Sequence, residues 1–135
     1  MAALTQDRLT DRRAGDTLFR HPVAAGVKIF AGALVVMNTS GFVEPGTTAT
    51  GKIGLGRAEE AVDNTAGSAG AVLVNYRRGT FRFANAAGDA VTLASVGADC
   101  FVVDDQTVAA TDGGGTRSVA GTVLDVDDAG VWVRF

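Results

Sequence analysis

Eighteen glycines, set against only two prolines, cut this chain of 135 residues into short runs rich in alanine and valine. Glycine turns through backbone angles closed to other residues, so such a chain reads as short extended segments joined by turns. Strands are expected over 27–37 (kinked at Ala31-Gly32), 42–44, 52–62, 71–83, 100–103, 107–110, 119–126 and 131–135. Between them stand turn-forming clusters at 38–41, 45–46, 64–70, 85–88, 112–115 and 127–130. Only 92–96 offers a helical turn, with Thr92 as its cap, and it is too short to support a helical domain.

Alternation refines two of these segments. Val131, Val133 and Phe135 lie on one face of the last strand, opposite Trp132 and Arg134, and Leu124 and Val126 are set against Asp125 in the strand before it. Trp132 is then either a half-covered packing residue or an interface anchor. In 71–83 the apolar positions are even at Val72, Val74 and Tyr76 and odd at Phe81 and Phe83. A period of two cannot change parity, so either a bulge near Arg77-Arg78-Gly79 restores the register or the two pieces are separate strands. The expectation is an all-β, single-domain fold, a β-sandwich, jelly roll or barrel over residues 22–135, behind an extended N-terminal arm over residues 1–21. That arm is polar, carries Arg8, Arg12, Arg13 and Arg20, and ends at His21-Pro22, where proline favours an extended approach. It reads as a frayed terminus or as a strap across a neighbouring subunit, anchored by Leu4, Leu9, Leu18 and Phe19.

A chain of this length can bury roughly two-thirds of its unfolded surface, enough for one core without staples. It has one cysteine, Cys100, so no internal disulfide forms, and a small buried core residue is the expected role. The first thirteen residues lack the apolar run of a signal peptide, and the longest apolar stretch, 30–37, falls far short of the ~20 residues that span a bilayer. A cytoplasmic product with no membrane contact is expected. Net charge is −3 and the isoelectric point is near 5.0, which disfavours nucleic acid as the partner. The charge is unevenly spread: residues 1–82 hold ten basic and seven acidic side chains, residues 83–135 two and eight. A difference of +3 against −6 suits a chain that meets a protein surface, or its own copies, by complementary charge.

No constellation for catalysis emerges. The glycines of 51–56 run GxxGxG, which is not the dinucleotide fingerprint, and Asp112 to Thr116 lacks the lysine and helix start of a phosphate loop. Asp125, Asp127 and Gly130 echo a calcium loop, but Ala129 occupies a ligand position and the closing glutamate is missing. Asp104-Asp105 and Glu59-Glu60 are adjacent pairs that a strand sends to opposite faces. One histidine, His21, and one cysteine make neither a zinc site nor a nucleophile with its base. The expectation is a protein without enzymatic activity, cofactor or metal. Arg77, Arg78 and Arg82, interleaved with Tyr76, Phe81 and Phe83, form the strongest cationic cluster; pairing with carboxylates is the expected use in an acidic protein.

Five phrases together carry a family resemblance: VAAGVKIFAGALVVMN at 23–38, GRAEEAVDNTAGSAG at 56–70, RRGTFRFAN at 77–85, CFVVDDQTVA at 100–109 and AGTVLDVDDAGVWVRF at 120–135. In order and combined length they resemble the small cement, or decoration, proteins of tailed bacteriophages, including the Mu-like group. The resemblance implies a β-protein bound to the outside of an HK97-like head, made in the bacterial cytoplasm and carried on the virion. It further implies the major capsid protein and further copies of itself as partners; members of the family differ between dimers and trimers, and a dimer is the slightly favoured expectation here. Interface positions expected on this reading are Arg8, Arg12, Arg13, Phe19, Arg77, Arg78 and Trp132. The rival expectation is a phage surface module binding a receptor or glycan, for which Trp132 or Tyr76 would have to line a groove.

Overall fold

A computed structural model describes residues 2–11, 13, 15 and 17–135. The chain is all-β, with twelve strands among the described residues: β1 (Leu18–Pro22), β2 (Lys28–Ile29), β3 (Leu34–Met37), β4 (Val43–Pro45), β5 (Ile53–Ala58), β6 (Val62–Asp63), β7 (Leu73–Arg77), β8 (Thr80–Asn85), β9 (Asp99–Val102), β10 (Thr107–Ala109), β11 (Val119–Asp127) and β12 (Gly130–Arg134). Five of them form an open sheet in the order β1-β7-β5-β3-β4. Another five close into a barrel in the order β10-β8-β12-β11-β9, and β2 pairs with β6 in a small ribbon. Of the architectures expected from sequence, the barrel forms, with an open sheet packed against it. The 92–96 segment is a single 3-10 turn, Leu93–Ser95, and the Thr92 side chain makes no capping hydrogen bond.

Two apolar clusters lie on either side of β3. Leu34 and Val36 join Phe83, Val102, Val108, Val123, Val131 and Val133 in the barrel cluster. Val35, between them, packs with Val23, Ile29, Val43, Val74 and Tyr76 in the sheet cluster. Alternation sends neighbouring side chains to opposite faces, so a strand apolar at every position must be covered on both. That requirement is what the unbroken Leu34–Met37 run satisfies.

The parity change in 71–83 has a topological cause. Val74 and Tyr76 face the sheet cluster from β7, Phe83 faces the barrel cluster from β8, and the chain passes from one layer to the other through Arg78-Gly79. The two pieces are separate strands in separate sheets. A real bulge lies elsewhere: between Val123 and Asp125 the β11–β12 register slips by one residue. Val123 is therefore buried and Leu124 is half exposed, which corrects the expectation that Leu124 would pair with Val126 on the inner face. Val131 and Val133 are buried as expected, and Phe135 packs edge-on to Phe83 at 5.9 Å.

The glycines of 51–56 are explained by close approach. A Cβ on Gly54 would lie 1.9 Å from the Ala120 carbonyl oxygen on β11, and one on Gly56 would lie 2.1 Å from that of Arg77. Gly56 also has φ +141°, where side chains are strained. These two positions let β5 lie directly against its neighbours, which brings sheet and barrel together.

The paired structure begins at Leu18, four residues before the boundary drawn from sequence. β1 runs antiparallel to β7 with Phe19 opposite Tyr76 and His21 opposite Val74. Phe19 stacks on Tyr76 at 5.7 Å, and His21 Nδ1 lies 2.8 Å from the Tyr76 hydroxyl. Apolar and aromatic contacts on one face of 18–22 thus hold it to the domain.

Candidate interaction surface

The surface feature richest in chemistry lies where the barrel meets the open sheet. On the outer face of the barrel Trp132 of β12 stands opposite Arg82 of β8, and Arg134 opposite Thr80. The Trp132 indole N–H donates to Asp127 Oδ2 at 2.9 Å, while Asp127 Oδ1 accepts from the backbone N–H groups of Ala129 and Gly130 at 2.8 and 3.0 Å. The indole bond first, then the turn amides and the Arg82 charge, hold the Asp127 carboxyl below its ordinary range. Arg82 lies over the Trp132 ring at 5.4 Å, and its closest approach to Asp127 is 3.9 Å. That is beyond hydrogen-bonding distance.

From the sheet side Arg57 of β5 lies over Phe81 at 4.4 Å and donates to Glu59 at 2.8 Å. Arg77 also reaches Glu59, at 3.5 Å, and donates to the Thr17 hydroxyl at 3.1 Å. The hydrogen bond from Arg57, aided by both positive charges, lowers the Glu59 carboxyl below its ordinary value. Gly32, Arg57, Thr80, Phe81, Arg82, Phe83 and Trp132 surround an open depression of about 410 Å³. Gly32 also borders a second depression of about 420 Å³, whose other walls include Phe30, Asp105 and Gln106. Phe30 is 57% exposed and stacks beneath Lys28 at 5.1 Å.

The structure distributes the seven expected interface residues unevenly. Trp132 lines the depression, and Arg77 stands beside its Arg57 wall. The Arg78 backbone N–H donates to the Thr17 carbonyl at 2.7 Å where the chain leaves the sheet. Phe19 is half-buried within its own sheet, with the Arg13 guanidinium 5.0 Å from its ring, and Arg8 is exposed. Arg12 lies outside the described residues. Tyr76 is buried and lines neither depression, so of the two aromatic residues singled out for a groove Trp132 is the one found lining one. Arg57 escaped sequence reasoning because it meets Phe81 only through the stacking of two sheets, which no local pattern announces.

The remaining polar groups that resembled motifs hold turns. Asp112 accepts from the Gly114, Thr116 and Arg117 amides, through Oδ1 for Gly114 and its carbonyl for the other two, and Asp104 accepts from the Gln106 amide at 2.9 Å. Cys100 is fully buried on β9, and burial pushes its thiol up to about 11. Among the described residues no group of three or more His, Cys, Asp or Glu side chains could hold a metal ion, and no helix is long and apolar enough to cross a membrane. Comparison of the chain with protein-family models, curated proteins and solved structures returned no match.

Proposed function

We propose that this protein is a non-enzymatic capsid cement protein that binds the outer surface of an HK97-like phage head as a homo-oligomer and stabilises it across capsomer junctions. The observation that carries the reading is the segment ahead of β1. Leu4 and Leu9 are 72% and 90% exposed, on a stretch without strand or helix among its described residues. Apolar side chains on an extended lead find cover on a neighbouring surface, and such a lead adds interface area at little mass. The order of the five sequence phrases supports the same reading, as does the asymmetry of charge between the two parts of the chain. Many modest contacts repeated by symmetry resist the outward pressure of packaged DNA. The test is densitometry of purified particles. Near-stoichiometric amounts relative to the major capsid band, lost on mild stripping with heat-fragile heads as the consequence, are expected; absence from particles overturns the reading.

The placement of Trp132 in a depression favours a second reading, a phage surface module that binds a receptor or glycan. Copy number separates the two, since an adhesin would be present in few copies per particle.

A further inference from the structure

At one end of the open sheet the register brings three side chains of complementary chemistry together. Met37 of β3 pairs with Ile53 of β5 on one side and with Val43 of β4 on the other. Asn38, the next residue, therefore lies between Lys52, one step before Ile53, and the strand that carries Glu44, within reach of both across the strands. Glu44 joins the other two: its Oε2 accepts from Asn38 Nδ2 at 3.2 Å, and its Oε1 lies 2.5 Å from Lys52 Nζ. The Lys52 backbone N–H donates to the buried Ser118 hydroxyl at 3.0 Å, which fixes the start of β5 against the lead into β11.

The Asn38 amide is held in one orientation. Its Oδ1 accepts from the backbone N–H groups of Ser40 and Phe42, each at 3.0 Å, which leaves Nδ2 against the Glu44 carboxylate. Two amide donors on a carbonyl oxygen draw electron density from Cγ and stabilise the oxyanion that forms when a nucleophile adds there. Lys52 supplies an amine, and Glu44 stands where it can take a proton from that amine and hand one to the Asn38 nitrogen. The Glu44 and Lys52 side chains are only 15% and 21% exposed, which limits competition from water. A turn cap uses Oδ1 alone, and an ion pair needs only the carboxylate and the ammonium. Nδ2 on that same carboxylate is the added contact that acyl transfer from Asn38 to Lys52 requires.

We propose that Asn38, Glu44 and Lys52 form a self-modifying site at which the Lys52 amine displaces ammonia from the Asn38 side-chain amide, leaving an isopeptide bond between the β3–β4 turn and the start of β5. Lys52 gives a proton to Glu44 and attacks Cγ. The Cγ–Nζ bond forms, and the carbonyl electron pair moves to Oδ1, where the Ser40 and Phe42 amides hold it. Glu44 passes its proton to Nδ2 and takes a second one from Nζ. The carbonyl re-forms, the Cγ–Nδ2 bond breaks, and ammonia leaves, taking the last proton from Glu44 as it departs. No oxidant, cofactor or water is consumed. The reaction turns over once, within the chain, and is independent of any capsid. Its product closes residues 38–52 into a covalent loop, which restricts the unfolded chain as a disulfide would.

The purified full chain is incubated at neutral pH, unfolded, digested with trypsin and mapped by mass spectrometry. Cleavage after Lys52 should be blocked, so that residues 29–57 are recovered as one peptide, lighter by one ammonia and giving no backbone fragments between Asn38 and Lys52. Lys52→Arg should abolish the loss of ammonia and restore cleavage after residue 52. Glu44→Gln, which keeps the shape of the side chain but removes the proton acceptor, should lower the cross-linked fraction at least tenfold, with its fold checked by the dispersion of its amide spectrum. Lys28→Arg should cross-link as the parent does. A parent chain that yields a peptide of full mass ending at Lys52 would overturn the proposal whatever the variants do. Loss of ammonia that persists in Lys52→Arg would overturn it as well, since it would mark a cyclic imide formed by Asn38 with its own backbone.

Discussion

A single methyl group at Gly54 would point into the Ala120 carbonyl, a backbone atom that cannot rotate away. Gly54→Ala should therefore force β5 off β11 and destabilise the protein by about 2–3 kcal/mol, the usual scale of overpacking, as read from the midpoint of urea unfolding. Cys100 offers a different kind of test. Burial raises its thiol from an ordinary 9.0 to about 11, and burial likewise raises the Tyr76 phenol. The folded state then holds both protons more tightly than the unfolded chain does, and for Cys100 the associated stability is complete below pH 9 and is lost as pH rises toward 11. Alkaline unfolding followed by Trp132 fluorescence should show that loss, and Cys100→Ala should reduce it by about 2 kcal/mol between neutral pH and pH 11. An alkaline slope unchanged by that substitution would mean that the thiol is not desolvated in the folded state.

At the scale of elements, β1 is the strand whose attachment is most local. It has one paired neighbour, β7, and its inner face consists of Phe19 and His21 against Tyr76 and Val74. Phe19→Ala should speed amide hydrogen exchange in β1 and β7 by roughly tenfold or more while barrel amides keep their protection; equal acceleration throughout would show that β1 unfolds only with the whole. This strand also marks where sequence reasoning stopped. Phe19 and His21 alternate with Leu18, Arg20 and Pro22, but a run so rich in polar residues shows its strand character only when Tyr76 is in place to receive it. The strands within 27–37, 100–110 and 131–135 were legible because their apolar positions alternate or run unbroken between glycines. The division of 71–83 between two sheets was legible as a parity conflict, left open between bulge and break, whereas the bulge at Leu124 had no sequence signal. The depression was less legible than the fold: Trp132 and the arginine cluster stood out, but Arg57 and Gly32 join them only through tertiary contact.

For the whole molecule the question is whether sheet and barrel fold as one. β3 answers it, because Leu34 and Val35 are both fully buried in different clusters. Leu34→Ala should cost about 2–5 kcal/mol and Val35→Ala somewhat less, and calorimetry of each should show a single transition at a lower temperature. Two separated peaks in either variant would mean that the clusters melt independently. The same geometry has a mechanical consequence. Tension on the segment ahead of Leu18, directed along β1, loads the whole row of β1–β7 hydrogen bonds in parallel rather than unzipping them singly. Beyond β7 the load passes through β5 to β3, and so into a barrel that has no edge at which to tear.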